Sequence, residues 1–149
     1  MIDFNTQLNT ILYADDDIDD LQLVEEAFSI YSPSVKLITA KDGVEALSYL
    51  FDLKEREIIP CLIILDINMP RMSGKEVLVK LRQTPDFSDV PVILFTTSSM
   101  PLDVEFSQKY KAGFLTKPVD IRQMDAIAAT FIESCSEEVR SSIRRSGDI

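Results

Sequence analysis

Residues 62–74 read LIILDINMPRMSG: four apolar side chains, one aspartate, then a turn carrying Asn68, Met69 and Pro70 before Ser73 and Gly74. An unbroken apolar run of this length suits a strand covered on both faces, as in a parallel sheet, and the proline and glycine close it. Asp66 admits two readings. A carboxylate at a strand-to-helix turn can cap the next helix. It can also be a reactive group presented at the rim of a sheet, and the rest of the chain has to decide.

With the third strand taken as Cys61–Leu65, four other segments have strand character: Ile11–Ala14, Val35–Ile38, Val92–Phe95 and Gly113–Thr116. Three of the five are continuously apolar or nearly so, whereas VKLI alternates as an edge strand does. Between them apolar residues recur at helical spacing: Leu21, Val24 and Phe28; Val44, Leu47 and Leu50; Val77, Leu78 and Leu81; and Ile121, Met124, Ile127, Ala128 and Phe131. A weaker helix is expected over Leu102–Lys111, with Val104, Phe106 and Tyr110. Five alternations of strand and helix predict an α/β protein with right-handed crossovers, a three-layer doubly wound (βα)5 sandwich on a five-stranded parallel sheet. Ligands of such sheets gather beyond the carboxyl ends of the strands.

A chain of 149 residues is long enough for one well-buried core and short for two. Its 15 basic and 25 acidic residues leave a net charge of −10, which repels nucleic acid and anionic membrane surfaces. Direct nucleic-acid binding and membrane association are therefore not expected. No apolar run reaches the length of a membrane span, and MIDFNTQLNT lacks the regions of a signal peptide, so a cytoplasmic protein is expected. Cys61 and Cys135 are read as small buried or surface thiols. The chain has no histidine, which removes the usual general base, Ser-His and Cys-His pairs and most zinc chemistry.

The first strand runs into DDDIDD, residues 15–20, five carboxylates in six positions. Charges so close raise one another's pKa unless a cation compensates them. Helix capping and the helix dipole account for Asp17, Asp19 and Asp20. Asp15 and Asp16 lie nearest the strand end. If the first and third strands are neighbours, Asp15, Asp16 and Asp66 converge, and three hard oxygen donors suit a cation such as Mg²⁺. Thr96 and Thr97 end the fourth strand, and Thr116, Lys117 and Pro118 end the fifth.

Taken in order, ILYADD, LIILDINMPRMSG, PVILFTT and FLTKP make the chain, from about Thr10 to Ser134, resemble the receiver domain of two-component response regulators, and more particularly the stand-alone kind. The resemblance implies the flavodoxin-like form of this fold. It implies that Asp66 accepts a phosphoryl group from a sensor histidine kinase or phosphotransfer protein, with Mg²⁺ held by Asp15, Asp16, Asp66 and the backbone carbonyl of Asn68. It further implies that Lys117 and Thr96 contact the phosphoryl group, that Phe114 is the aromatic switch, and that output passes to a downstream protein target. A monomer or weak homodimer is expected.

The chain departs from the family in three places. Tyr110, Lys111 and Ala112 stand where receivers usually carry a Gly-Ala pair, Thr97 replaces a smaller residue, and Phe114 lacks the hydroxyl of the commoner tyrosine. The alternative is an interaction module of the same fold that is never phosphorylated; its usual sign, loss of an acid, the Thr or the Lys, is missing. An aspartyl phosphatase would need a second carboxylate where Asn68 stands. The receiver is expected over residues 1–135, with 136–149 a polar tail carrying Arg140, Arg144 and Arg145, either a frayed extension of the last helix or disordered.

Overall fold

A computed structural model describes residues 9–146. The first eight positions of the expected domain, the last three of the expected tail and the side chain of Ile121 lie outside the described residues. The sheet has five parallel strands, β1 (Asn9–Ala14), β2 (Val35–Ala40), β3 (Leu62–Leu65), β4 (Val92–Thr96) and β5 (Gly113–Thr116), in the order β2-β1-β3-β4-β5. β3 is thus central, and the order reverses between β1 and β3, which opens a crevice at their carboxyl ends. β1, β2 and β4 run slightly longer than their apolar stretches, because ladder hydrogen bonds ignore side-chain character. β3 begins one residue later than expected, although the Cys61 N–H still donates to Thr10 O at 2.9 Å.

The unbroken apolar runs follow from burial on both faces. Ile11, Tyr13, Leu62, Ile64, Ile93 and Phe95 face helices α1 (Ile18–Ser29) and α5 (Ile127–Ile132), while Leu12, Ala14, Ile63, Leu65, Val92 and Leu94 face α2 (Gly43–Glu55) and α3 (Gly74–Gln83). Helix α4 (Pro101–Lys109) is held differently: its buried residues are Asp103 and Ser107, both polar, with Phe106 half-buried.

Beyond β5 the structure differs from the simple periodic reading. Ile121–Ala126 is a 3-10 helix, and α5 proper covers only the second part of the expected helix. A separate helix, α6 (Glu137–Ser142), then starts at a Ser136 cap whose Oγ accepts from Val139 N at 3.2 Å. Ile143 inserts into the α1–α5 core, where burying such a side chain contributes about 2 kcal/mol. Arg144 N donates to Ser34 Oγ at 3.0 Å and Asn9 Nδ2 to Ser142 Oγ at 2.9 Å, so residues 136–146 dock on the chain instead of extending the preceding helix.

The turn before β5 shows how the chain manages without a glycine. Lys111 adopts φ 56°, the left-handed region that glycine enters freely and other residues enter at a cost of about 1 kcal/mol. Arg82 anchors this turn: Nε donates to Tyr110 O at 2.8 Å, Nη2 to Lys111 O at 3.2 Å, and Nη1 to Val90 O at 2.8 Å and Ser88 O at 3.2 Å. One guanidinium thereby ties the α3 end to the segments on either side of β4. Arg82→Ala is expected to lose about 2 kcal/mol in chemical denaturation, since it strands several carbonyls at once. A loss below about 0.5 kcal/mol would mean that water satisfies those carbonyls equally well.

Candidate functional site

Strand register brings the predicted residues together. Ala14 pairs with Leu65, so Asp15 and Asp66 leave adjacent strands side by side; Thr96 pairs with Thr116, which sets Lys117 one residue beyond. Backbone bonds lock these ends: Asp66 N donates to Ala14 O at 2.9 Å, Asp15 N to Ala40 O at 3.0 Å and Lys117 N to Thr96 O at 2.7 Å. Gly74 is required at the start of α3, because a Cβ there would lie 2.1 Å from Asp66 O. The helix begins with a capping box in which Ser73 and Glu76 exchange hydrogen bonds, so the cap of α3 is Ser73 and not Asp66. That disposes of the capping reading of Asp66.

Carboxylate oxygens of Asp15, Asp16 and Asp66 lie within 4.8 Å of one another. Asp15 is fully buried, Asp66 is 6 % exposed and Asp16 is exposed. Asn68 is exposed in the turn after Asp66. Lys117, 9 % exposed, places Nζ 2.7 Å from Asp15 Oδ2, 2.7 Å from Asp20 Oδ2 and 3.4 Å from Asp66 Oδ2, with the Phe95 ring 5.8 Å below. Burial opposes charge on this ammonium, but its bonds to Asp15 and Asp20 outweigh that and hold its pKa above the ordinary lysine value. Burial first, and then the charge of Asp15, push Asp66 up to about 6, although Lys117 and a hydrogen bond with Thr96 pull the other way. Three oxygen donors of this kind, with no nitrogen or sulfur ligand among them, fit a hard divalent cation.

Thr96 is fully buried and accepts from Ser98 N at 3.3 Å. Phe114 is half-buried against the α2–α3 face of the core, and Thr97 is exposed. Three participants escaped the sequence reading. Asp17 does cap α1, but Asp20, assigned with it to capping and dipole effects, binds Lys117 instead. Tyr13 donates its hydroxyl to Asp15 Oδ2, and period-2 alternation from residue 13 to 15 was the signal for that contact. Ser98 Oγ donates to Asp103 Oδ2 at 2.6 Å, and Asp103 also pairs with Lys75 of α3.

The sequence profile described as the response regulator receiver domain matches residues 11–129. The chain belongs to the response regulator receiver domain family. It is 33% identical over 127 residues to response regulator Rcp1 of Synechocystis, a match covering 83% of this chain and 86% of that protein. The crystal structure of the Mn²⁺-bound form of Rcp1 superposes with a TM-score of 0.73 at 29% identity, covering 86% of this chain and 97% of that one. The phosphorylated cyanobacterial phytochrome response regulator RcpA gives a TM-score of 0.77 at 26% identity, covering 86% and 96%. The flavodoxin-like form of the doubly wound fold is shared with these receivers. Among the described residues, no helix is long and apolar enough to cross a membrane.

The raised pKa of Asp66 has a definite sign. The folded protein holds this proton more tightly than the unfolded chain, so the group's contribution falls as pH rises from about 4 to 6 and stays unfavourable above. In EDTA at pH 8, Asp66→Asn is therefore expected to be more stable than the unsubstituted protein by about 2 kcal/mol, a gap that closes as pH falls toward 4. Thermal melts of both proteins across that range check it; a gap independent of pH would contradict the raised value.

Proposed function

We propose that the chain is a phosphorylatable receiver that takes a phosphoryl group on Asp66 from the phosphohistidine of a sensor histidine kinase or phosphotransfer protein. The observation that supports this most directly is the convergence of Asp15, Asp16, Asp66, Thr96 and Lys117 from four strand ends. An Asp66 oxygen bonds to phosphorus as the phosphorus–nitrogen bond breaks, and the electron pair stays on the departing imidazole. The nucleophile is ionised at neutral pH, so the missing histidine is no obstacle.

What must be overcome is repulsion between two anions. Lys117 donates to a phosphoryl oxygen, and the Thr96 hydroxyl, already beside Asp66, turns to another. Bound by Asp15, Asp16, Asp66 and the Asn68 carbonyl, Mg²⁺ would neutralise charge on the transferring oxygens. The Mn²⁺-bound form of Rcp1 and the phosphorylated RcpA are relatives in which a divalent cation and a phosphoryl group occur. The protein acts in the cytoplasm as a signalling phosphoacceptor and passes its state to a protein target, as a monomer or weak homodimer. Exposed Ile18, Met100, Leu102 and Val119, all in segments leaving the same strand ends, give such a target apolar contact surface.

Acetyl phosphate with Mg²⁺ is expected to add one hydroxylamine-sensitive phosphate, measured by intact mass. Asp66→Asn abolishes it, and Lys117→Ala and Thr96→Ala slow it; equal labelling of the Asp66 variant would sink the assignment. Mg²⁺ at about ten times its Kd should also stabilise the protein by about 1.4 kcal/mol, read as a higher Tm that EDTA reverses.

A further inference from the structure

We propose that Asp20 is a positioning residue that holds the Lys117 ammonium toward α1 and off Asp66, keeping the Asp66 carboxylate open to a divalent cation. This deepens the reading of Asp15, Asp16 and Asp66 as metal-binding acids and rests on it. Among the described residues Asp20 lies outside that carboxylate group, and its Oδ2 pairs with the Lys117 ammonium.

An ammonium has three donors. Two are committed at 2.7 Å, to Asp15 Oδ2 and Asp20 Oδ2, and the approach to Asp66 Oδ2 stretches to 3.4 Å, outside the usual range of charge-assisted bonds. The unequal distances come from anchored backbone on both sides. Asp17 Oδ1 accepts from the N–H of Asp19 at 2.9 Å and of Asp20 at 3.3 Å, which fixes the first turn of α1. Lys117 is pinned by its N–H to Thr96 O at 2.7 Å and lies over the Phe95 ring.

A lysine cation and a metal dication compete for the same carboxylate oxygens. With Asp20 neutral, the ammonium would close on Asp66, and an incoming cation would first have to displace it. Removing Asp20 also removes one negative charge, which weakens cation binding from a distance. Asp19 separates the two effects, since it carries the same charge in the same turn, is exposed, and is not among the ion-pair partners of Lys117 in the described residues.

Titration calorimetry with Mg²⁺ provides the test. Asp20→Asn is expected to raise Kd about tenfold, the scale of one charge-assisted hydrogen bond redirected, and Asp20→Ser to do the same; Asp19→Asn raises it about twofold. In a Lys117→Ala background, Asp20→Asn should fall to the size of the Asp19 effect, because its route runs through the lysine. An Asp20→Asn Kd matching that of Asp19→Asn, or an effect that persists undiminished without Lys117, overturns the inference alone. Absence of saturable Mg²⁺ binding to the unsubstituted protein overturns the metal reading and this inference together.

Discussion

One ammonium group, that of Lys117, lies among the carboxylates of Asp15, Asp20 and Asp66 where four strands end. Taking several like charges out of water without a partner would cost several kcal/mol for each. The rest of the carboxyl edge is arranged around that compensation. β1 and β3 must be neighbours for the two buried acids to meet, β5 must lie beyond β4 for the lysine to reach back, and Phe95 supplies an apolar floor under the charge. Tyr13 completes the shell of Asp15 from within the sheet, as does the Asp17 N–H at 3.0 Å from Asp15 Oδ1.

The loops that carry these groups are constrained as tightly as the strands. A Cβ on Gly43 would meet Met72 O at 2.3 Å, so the start of α2 presses on the turn after Asp66, and the Arg71 guanidinium reaches across to Asp42 at 2.8 Å. Arg71 itself takes φ 65°. A turn held by a left-handed residue, an ion pair and two glycine contacts keeps the backbone around Asn68 in one conformation. Such preorganisation is what a carbonyl ligand would need.

The fold and the convergence of the candidate site residues were legible because they follow from local pattern plus register. Apolar runs mark strands, the polar groups that end the first, third, fourth and fifth runs mark the rim, and parallel order brings them together. What escaped depends on long-range placement. Asp20 satisfies every local rule for a first-turn acid, and only the position of the loop after β5, 97 residues away, shows its partner. Ile143 is a lone apolar residue in a polar stretch, too little periodicity to predict that it fills a gap between α1 and α5. The turn at Lys111 lacks the usual Gly-Ala pair, and its anchor is Arg82, a residue with no sequence pattern linking it to that turn.

On the proposed reading, the arrangement also explains where a phosphoryl group would be felt. Thr96 serves two partners: its hydroxyl bonds with Asp66, and its oxygen accepts from Ser98 N. Ser98 in turn donates to Asp103 and accepts from Met100 N at 3.3 Å, just before α4 begins. A threonine that rotates toward phosphate therefore changes the bonding of the residue that fastens α4. That helix is held by buried polar groups and by Lys75 pairing with Asp103, more than by interlocked apolar side chains. An element with little apolar burial can shift at small cost, whereas α1, α2 and α3 cannot without opening the core. A population shift driven from Asp66 would thus be spent at α4, the helix whose anchoring is easiest to rewrite.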